Sequence, residues 1–302
     1  MGGTLFSVTG CSRCALAKKF LRAQAIPYEE LDALGEGKAR FATFYRAHRD
    51  RIVRGREGVE FPVWVDGEAI RQGIAPVLAW LQAGVRLDPF FRYAESPRGW
   101  AAGIEISAGD PAAAEDLFAV LAFLQREGIR LEIATDGRNA ALLEGLLARG
   151  LADRVVMRLW GPPEVHRARL GETAGLEEIE ASMVRVPRFP EYRFETVVAH
   201  PDPGKAASGG LRGLTPEEIA ATARWLKEVT GSHRHPYVLI PPAPLASPPA
   251  GEPPPPDPGA ASLSMVRLRS AARVFQVLTE IASRSEGFAA AYTVRGESPP
   301  SS

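Results

Sequence analysis

The sequence predicts an α/β protein of more than one domain, and three observations carry that expectation. The first 85 residues run through strand and helix patterns in the order β-α-β-α-β-β-α. From about Trp100 single strands and single helices alternate, which implies a mostly parallel sheet. Ten of the 26 Pro then fall within 241–258, where a chain cannot build a core. At 302 residues there is room for two ordinary domains of about 100–200 residues each.

Each element has a local reason. Thr4-Leu5-Phe6-Ser7-Val8 is a short strand that Thr9-Gly10 breaks. A helix follows from Cys11 or Ser12 to about Gln24, with Ala15, Leu16, Phe20 and Leu21 on its apolar side. Tyr28-Glu29-Glu30-Leu31 is the next strand, and Phe41, Phe44, Tyr45, His48 and Ile52 then recur at helical spacing. Val63-Trp64-Val65, the turn Asp66-Gly67 and Ala69-Ile70 make a hairpin. Ile74 to Leu81 closes the series as a helix whose Pro76 fits only in the first turn.

Farther on, strands are expected at 103–107, 129–134, 154–157, 192–198 and 237–240, with helices near 113–127, 139–149, 174–184 and 215–230. Thr215-Pro216-Glu217-Glu218 is a clear helix start, with a cap, a Pro at the first position and acids in the first turn. The expected division is 1–86, 99–245, a Pro-rich linker at 246–261, and 262–302. In the last segment Ser262 caps a helix to about Arg284, with Val266, Phe275, Leu278 and Ile281 among its apolar positions; the tail from Gly296 is expected to be disordered.

Composition narrows the function classes. The 36 Lys+Arg balance 36 Asp+Glu, so no bulk field favours nucleic acid or an anionic membrane. Hydrophobic residues are 45% and charged residues 24%, the proportions of a chain with real cores. No apolar run is long enough to span a bilayer, the first residues lack a targeting pattern, and Phe6 stands where myristoylation needs Ser or Thr. The expected location is cytoplasmic.

The chain has two cysteines, Cys11 and Cys14, three residues apart. Such a pair cannot staple a secreted scaffold. Three readings remain: a redox dithiol, an inert pair, or half a zinc site completed by His48, His200, His233 or His235. The order of the surrounding elements favours the dithiol. Cys11-Ser12-Arg13-Cys14 follows a strand and a Gly and opens a helix, where orphan N–H groups and the positive end of the dipole favour a thiolate. Arg13 and Lys18 add positive potential. Cys11 would attack a target disulfide and Cys14 would resolve the mixed disulfide; no metal and no bound cofactor are expected. Arg46, Arg49, Arg51, Arg54 and Arg56 form a basic stretch around Asp50, read first as a solvated helix face and second as a docking surface for an acidic partner.

Residues 4–83 resemble glutaredoxins and related thioredoxin-fold redoxins, through the strand, the Cys11-Ser12-Arg13-Cys14 helix start, the second strand and helix, and Phe61-Pro62 before a hairpin. The resemblance implies a thioredoxin-like fold, Cys11 and Cys14 as catalytic residues, and a substrate groove at Arg13, Phe61, Pro62 and Gly73. The residue before the cis proline would pair its backbone with substrate. Partners would be a disulfide-bearing protein or glutathione.

Residues 103–240 resemble the back part of the radical S-adenosylmethionine enzymes that install glycyl radicals. The matching segments, in order, are Ser107-Ala108-Gly109-Asp110-Pro111, Ile133-Ala134-Thr135-Asp136-Gly137, Asp153-Arg154-Val155-Val156-Met157 and Phe194-Glu195-Thr196-Val197-Val198. That family holds an iron–sulfur cluster on three closely spaced thiolates, and this chain has no third cysteine. Arg158-Leu159-Trp160 and Glu195 also depart from the family pattern. The expectation is therefore a degenerate, partial (β/α) barrel, with Asp110, Asp136 and Asn139 as candidate ligand contacts. The expected whole is a thiol–disulfide oxidoreductase fused to a non-catalytic barrel that positions a partner. The alternatives are a redox-sensing adaptor, or an accessory chain of a glycyl-radical or ribonucleotide-reductase-type system whose cluster another polypeptide supplies.

Overall fold

The computed structural model describes residues 2–55, 58–94, 96–170, 175–201, 211–240, 278–283 and 290–293. It is a mixed α/β structure that groups into two compact units: Met1–Ala134 with Glu144–Arg154, and Thr135–Leu143 with Val155–Ser302.

The first unit opens with β1 (Gly3–Ser7), α1 (Ser12–Ala23), β2 (Tyr28–Asp32) and α2 (Lys38–Ala47). A short pair, β3 (Arg54–Gly55) and β4 (Gly58–Val59), precedes β5 (Val63–Asp66), β6 (Ala69–Gln72) and α3 (Ile74–Ala83). The sheet order is β2-β1-β5-β6, with β1 parallel to β2 and both β1–β5 and β5–β6 antiparallel. Register places Phe6 opposite Leu31 on one side and Val63 on the other. Because strand side chains alternate, these three share a face, and Phe41 and Phe44 of α2 pack on Phe6 with ring centres 5.2 and 5.0 Å away. Leu5 and Trp64, paired in register, are buried on the opposite face. A Cβ at Gly3 would run into the Trp64 indole, so this close approach requires glycine. The buried stripe of α1 is Cys14, Ala17, Phe20 and Leu21, spaced as one helical face.

The first unit continues through β7 (Trp100–Glu105), α4 (Ala114–Arg126) and into β8 (Arg130–Thr135), which pairs parallel with β7. Phe123 of α4 meets Phe20 of α1 edge-on with ring centres 5.0 Å apart. Arg130 and Arg154 stack on the Trp100 ring at 4.1 and 4.5 Å.

The division between units passes through β8 and α5 (Ala140–Arg149). The second unit then contains most of β9 (Arg154–Arg158), α6 (Pro163–Leu170), α7 (Leu176–Arg185), β10 (Glu191–Val197), β11 (Ala199–Pro201), β12 (Leu211–Gly213), α8 (Pro216–Thr230) and β13 (Pro236–Ile240). Its strands lie in the order β13-β10-β9, with β10 and β13 parallel. Inside, the Tyr237 hydroxyl donates to Thr196 Oγ1 at 2.8 Å, and Thr196 donates to the Leu159 carbonyl at 2.8 Å. Complete burial pushes the Tyr237 phenol far above its usual range, so it stays a neutral donor. The start of α8 is a capping box in which Thr215 and Glu218 satisfy each other's backbone N–H.

The expected helix from Ser262 to about Arg284 is corrected at its end. Leu278–Ser283 is a strand, β14, parallel to β13, and Ala290–Thr293 is β15, antiparallel to β14. The sequence there reads Leu278-Thr279-Glu280-Ile281-Ala282-Ser283, where Thr279 and Ile281 alternate with other types, a spacing that suits a pleated ladder as well as a helix face. The rest of that expected helix, the Pro-rich linker and the tail from Gly296 lie outside the described residues. The expected series has no helix between the strand at 154–157 and the helix near 174–184; α6 occupies that interval, with Pro163 in its first turn. No helix among the described residues is long and apolar enough to cross a membrane.

Candidate functional site: a paired dithiol at a helix start

The loop entering α1 is fixed before the dithiol begins. The Asp32 carboxylate accepts from the Thr9 hydroxyl, and from the amides of Thr9 at 3.1 Å and of Leu34 and Gly35 at 2.9 Å each. The Thr9 hydroxyl foremost, with those amides, holds the Asp32 carboxyl below its ordinary range. One carboxylate at the end of β2 thereby ties down both the loop after β1 and the loop after β2.

Cys11 follows as the N-cap of α1. Its side chain accepts from the Cys14 amide at 3.1 Å, and its carbonyl accepts from the Ala15 amide at 3.1 Å. The sulfurs of Cys11 and Cys14 are joined, with Cα atoms 5.3 Å apart, inside the usual range for a disulfide. The two cysteines differ in access: Cys14 is 1% exposed, whereas Cys11 is half-buried and lines an open groove. The Cys11 sulfur lies 3.9 Å from the Phe61 carbonyl oxygen. The Phe61–Pro62 peptide bond is cis. Pro62 is in turn positioned from its far side, where its carbonyl accepts from the Gly73 amide at 2.9 Å. Cys11, Cys14, Phe61, Pro62 and Gly73 are thus brought to one end of the first sheet.

Arg13 is placed differently from a free substrate ligand. Its guanidinium pairs with Glu60 and donates to the carbonyls of Ser96, Pro97 and Trp100 at 3.2, 3.1 and 3.2 Å. Five donors in a planar fork suit such a multiple clamp. Lys18 likewise pairs with Glu30 at 2.9 Å. Glu60 was missed by sequence reasoning, because nothing in a linear pattern shows that residue 60 meets residue 13.

The candidate contacts of the later segment have local partners. Asp110, in the first unit, caps a short helical turn by accepting from the Ala112 amide at 2.9 Å. In the second unit the buried Asp136 carboxylate accepts from the Arg138 guanidinium at 2.7–3.1 Å, and Asn139, at φ 62°, accepts at its carbonyl from Leu142. Glu195 is buried and accepts from Arg193 Nε at 2.6 Å. Among the described residues no group of three or more His, Cys, Asp or Glu is placed to hold a metal ion. With two cysteines in the chain, joined to each other, the residues do not supply the three thiolates of a radical S-adenosylmethionine cluster.

No protein-family model matches the chain, and no curated protein matches its sequence. Two solved structures are similar to it. One is a domain of pyruvate-formate lyase-activating enzyme from Bacteroides vulgatus, at 16% identity and a TM-score of 0.38, covering 61% of this chain and 100% of that one. The other is coproporphyrinogen III oxidase from Escherichia coli, described as a radical SAM enzyme, at 16% identity and a TM-score of 0.36, covering 58% of this chain and 41% of that one.

Proposed function

We propose that the first unit is a thiol–disulfide exchange centre in which Cys11 attacks and Cys14 resolves. The observation that carries this reading is the asymmetry of the pair: an accessible sulfur at a helix N-cap receives an amide N–H, and its partner is buried one turn on. In the reduced form the Cys14 amide and the helix dipole stabilise negative charge on Cys11. The Cys11 thiolate attacks one sulfur of a substrate disulfide; the substrate S–S bond breaks, a mixed disulfide forms, and the departing thiolate takes a proton from water. Cys14 loses its proton and attacks the Cys11 sulfur, releasing the second substrate thiol. Two electrons pass from the dithiol to the substrate, and the resulting Cys11–Cys14 disulfide is returned to the dithiol by an external thiol reductant.

The test is thiol-coupled turnover on a disulfide substrate with single-cysteine variants. Cys11→Ser should abolish exchange, and Cys14→Ser should accumulate a mixed disulfide at Cys11 that mass spectrometry detects. Equal alkylation rates for both thiols in the reduced chain would overturn the assignment.

A second reading, an accessory chain of a glycyl-radical activating system, is favoured by where the matching segments lie. Residues 107–111 follow β7, 133–137 span the end of β8, 153–157 begin β9 and 194–198 end β10. Adding the chain to a purified, cluster-loaded activating enzyme should then change the glycyl-radical yield seen by electron paramagnetic resonance. An unchanged yield removes this reading.

A further inference from the structure

The dithiol has two flanks within the first unit, and they are unequal. On the Gly73 flank, Arg13, paired with Glu60, holds residues 96–102 against the cleft through the three carbonyl contacts of the guanidinium. The space left there is about 10 Å³, room for one water molecule at most. On the other flank an open groove of about 740 Å³ runs from Cys11 along α2 to β3 and β4. Its floor is aromatic, formed by Phe41, Tyr45 and Phe61, and its rim carries Leu34, which is 68% exposed. Among the described residues its lining includes two exposed cations, Lys38 and Arg54, and no carboxylate.

We infer that Arg13 and Glu60 close the Gly73 flank with the chain's own 96–102 segment, so that substrate reaches Cys11 from the Phe41–Tyr45–Phe61 side, and that the occupant is a protein disulfide flanked by an apolar side chain and a carboxylate. This rests on the exchange reading above and names its substrate class. A cleft that admits one water excludes any peptide-like group from the Gly73 flank. A groove of several hundred Å³ with an aromatic floor rewards burial of an apolar side chain beside the scissile disulfide. The two exposed cations among the described lining residues attract acids and repel bases, an effect on encounter that salt weakens. The expected solvated helix face is corrected here: α2 ends at Ala47, so among the described residues only Arg46 of the basic stretch is helical, and Arg54 lies in β3 on the groove.

The experiment uses the full chain, reduced and freed of reductant, and follows oxidation of Cys11–Cys14 in single turnover. Three disulfides are compared: a cystine peptide with Phe and Glu beside the disulfide, the same peptide with Lys for Glu, and glutathione disulfide. The Glu peptide should react about tenfold faster than the Lys peptide, with the ratio shrinking at high salt. Lys38→Glu with Arg54→Glu, both at exposed positions, should invert that order. Arg13→Gln should raise the glutathione disulfide rate relative to the Glu peptide by releasing the 96–102 segment. Equal rates on all three disulfides, or an order unchanged by charge reversal, would overturn the inference while leaving the exchange reading intact. Failure of all three disulfides to oxidise the dithiol would overturn both.

Discussion

Replacing Gly73 by Ala tests how the fold holds the loop beside the dithiol. Gly73 caps α3 at φ 86° and ψ 160°, a region that side-chain-bearing residues almost never occupy. A Cβ built there meets Glu60 Oε1 and Tyr93 Cδ2 no closer than 3.8 Å, an ordinary contact. The cost is therefore conformational, about 1–3 kcal/mol for a residue held in such a region. A stiffer unfolded chain offsets about 0.4–1 kcal/mol of it. The net is about 1.3 kcal/mol at mid-range and at most about 2.6 kcal/mol, which accelerates local opening about 8-fold and at most about 70-fold at 1.4 kcal/mol per factor of ten. Hydrogen exchange read by mass spectrometry should show this in peptides spanning β5 to α3, with α8 peptides unchanged as the internal reference. Turnover should fall as well, because the Gly73 amide positions the Pro62 carbonyl at 2.9 Å. Unchanged or slower exchange across β5 to α3 would refute the argument from backbone geometry.

Three further outcomes follow from other parts of the molecule. Thr215→Ala removes half of the capping box and should destabilise the start of α8 by about 1 kcal/mol, with Thr215→Ser restoring most of it in the same exchange measurement. Burial lowers the affinity of the His235 ring for a proton below that of a free histidine, which titrates at 6.5. The unfolded chain then binds the proton first as pH falls, so this contribution to stability is complete above 6.5 and is lost as pH drops from there toward the native value. His235→Asn should accordingly flatten the decline of the thermal midpoint between pH 7 and pH 5, and an unchanged slope would contradict the assignment. Anaerobic reconstitution with iron and sulfide, followed by reductant and S-adenosylmethionine, should give no 5′-deoxyadenosine from this chain alone; its chromatographic detection would refute the ligand count.

Local signals determined much of this protein before any coordinates. The order β-α-β-α-β-β-α, to which the structure adds only the short β3–β4 pair after α2, the Asp66-Gly67 turn, the capped start at Thr215 and the placement of Cys11 at a helix N-terminus each depend on residues within one or two turns of each other. Where the sequence permits two periods, tertiary pairing decides: Leu278–Ser283 became a strand because β13 offers it a parallel neighbour. The closed and open flanks of the dithiol lie beyond any local pattern. Arg13 meets Glu60 and the carbonyls of Ser96, Pro97 and Trp100 across separations of 47 to 87 residues. Phe41 and Tyr45, which periodicity assigns to a helix face, line the groove beside Cys11 because β1, α2 and β4 converge there. Sequence alone determined that Cys11 and Cys14 stand at the start of one helix. Only the folded chain decided which residues surround them, because those contacts join partners far apart along the backbone.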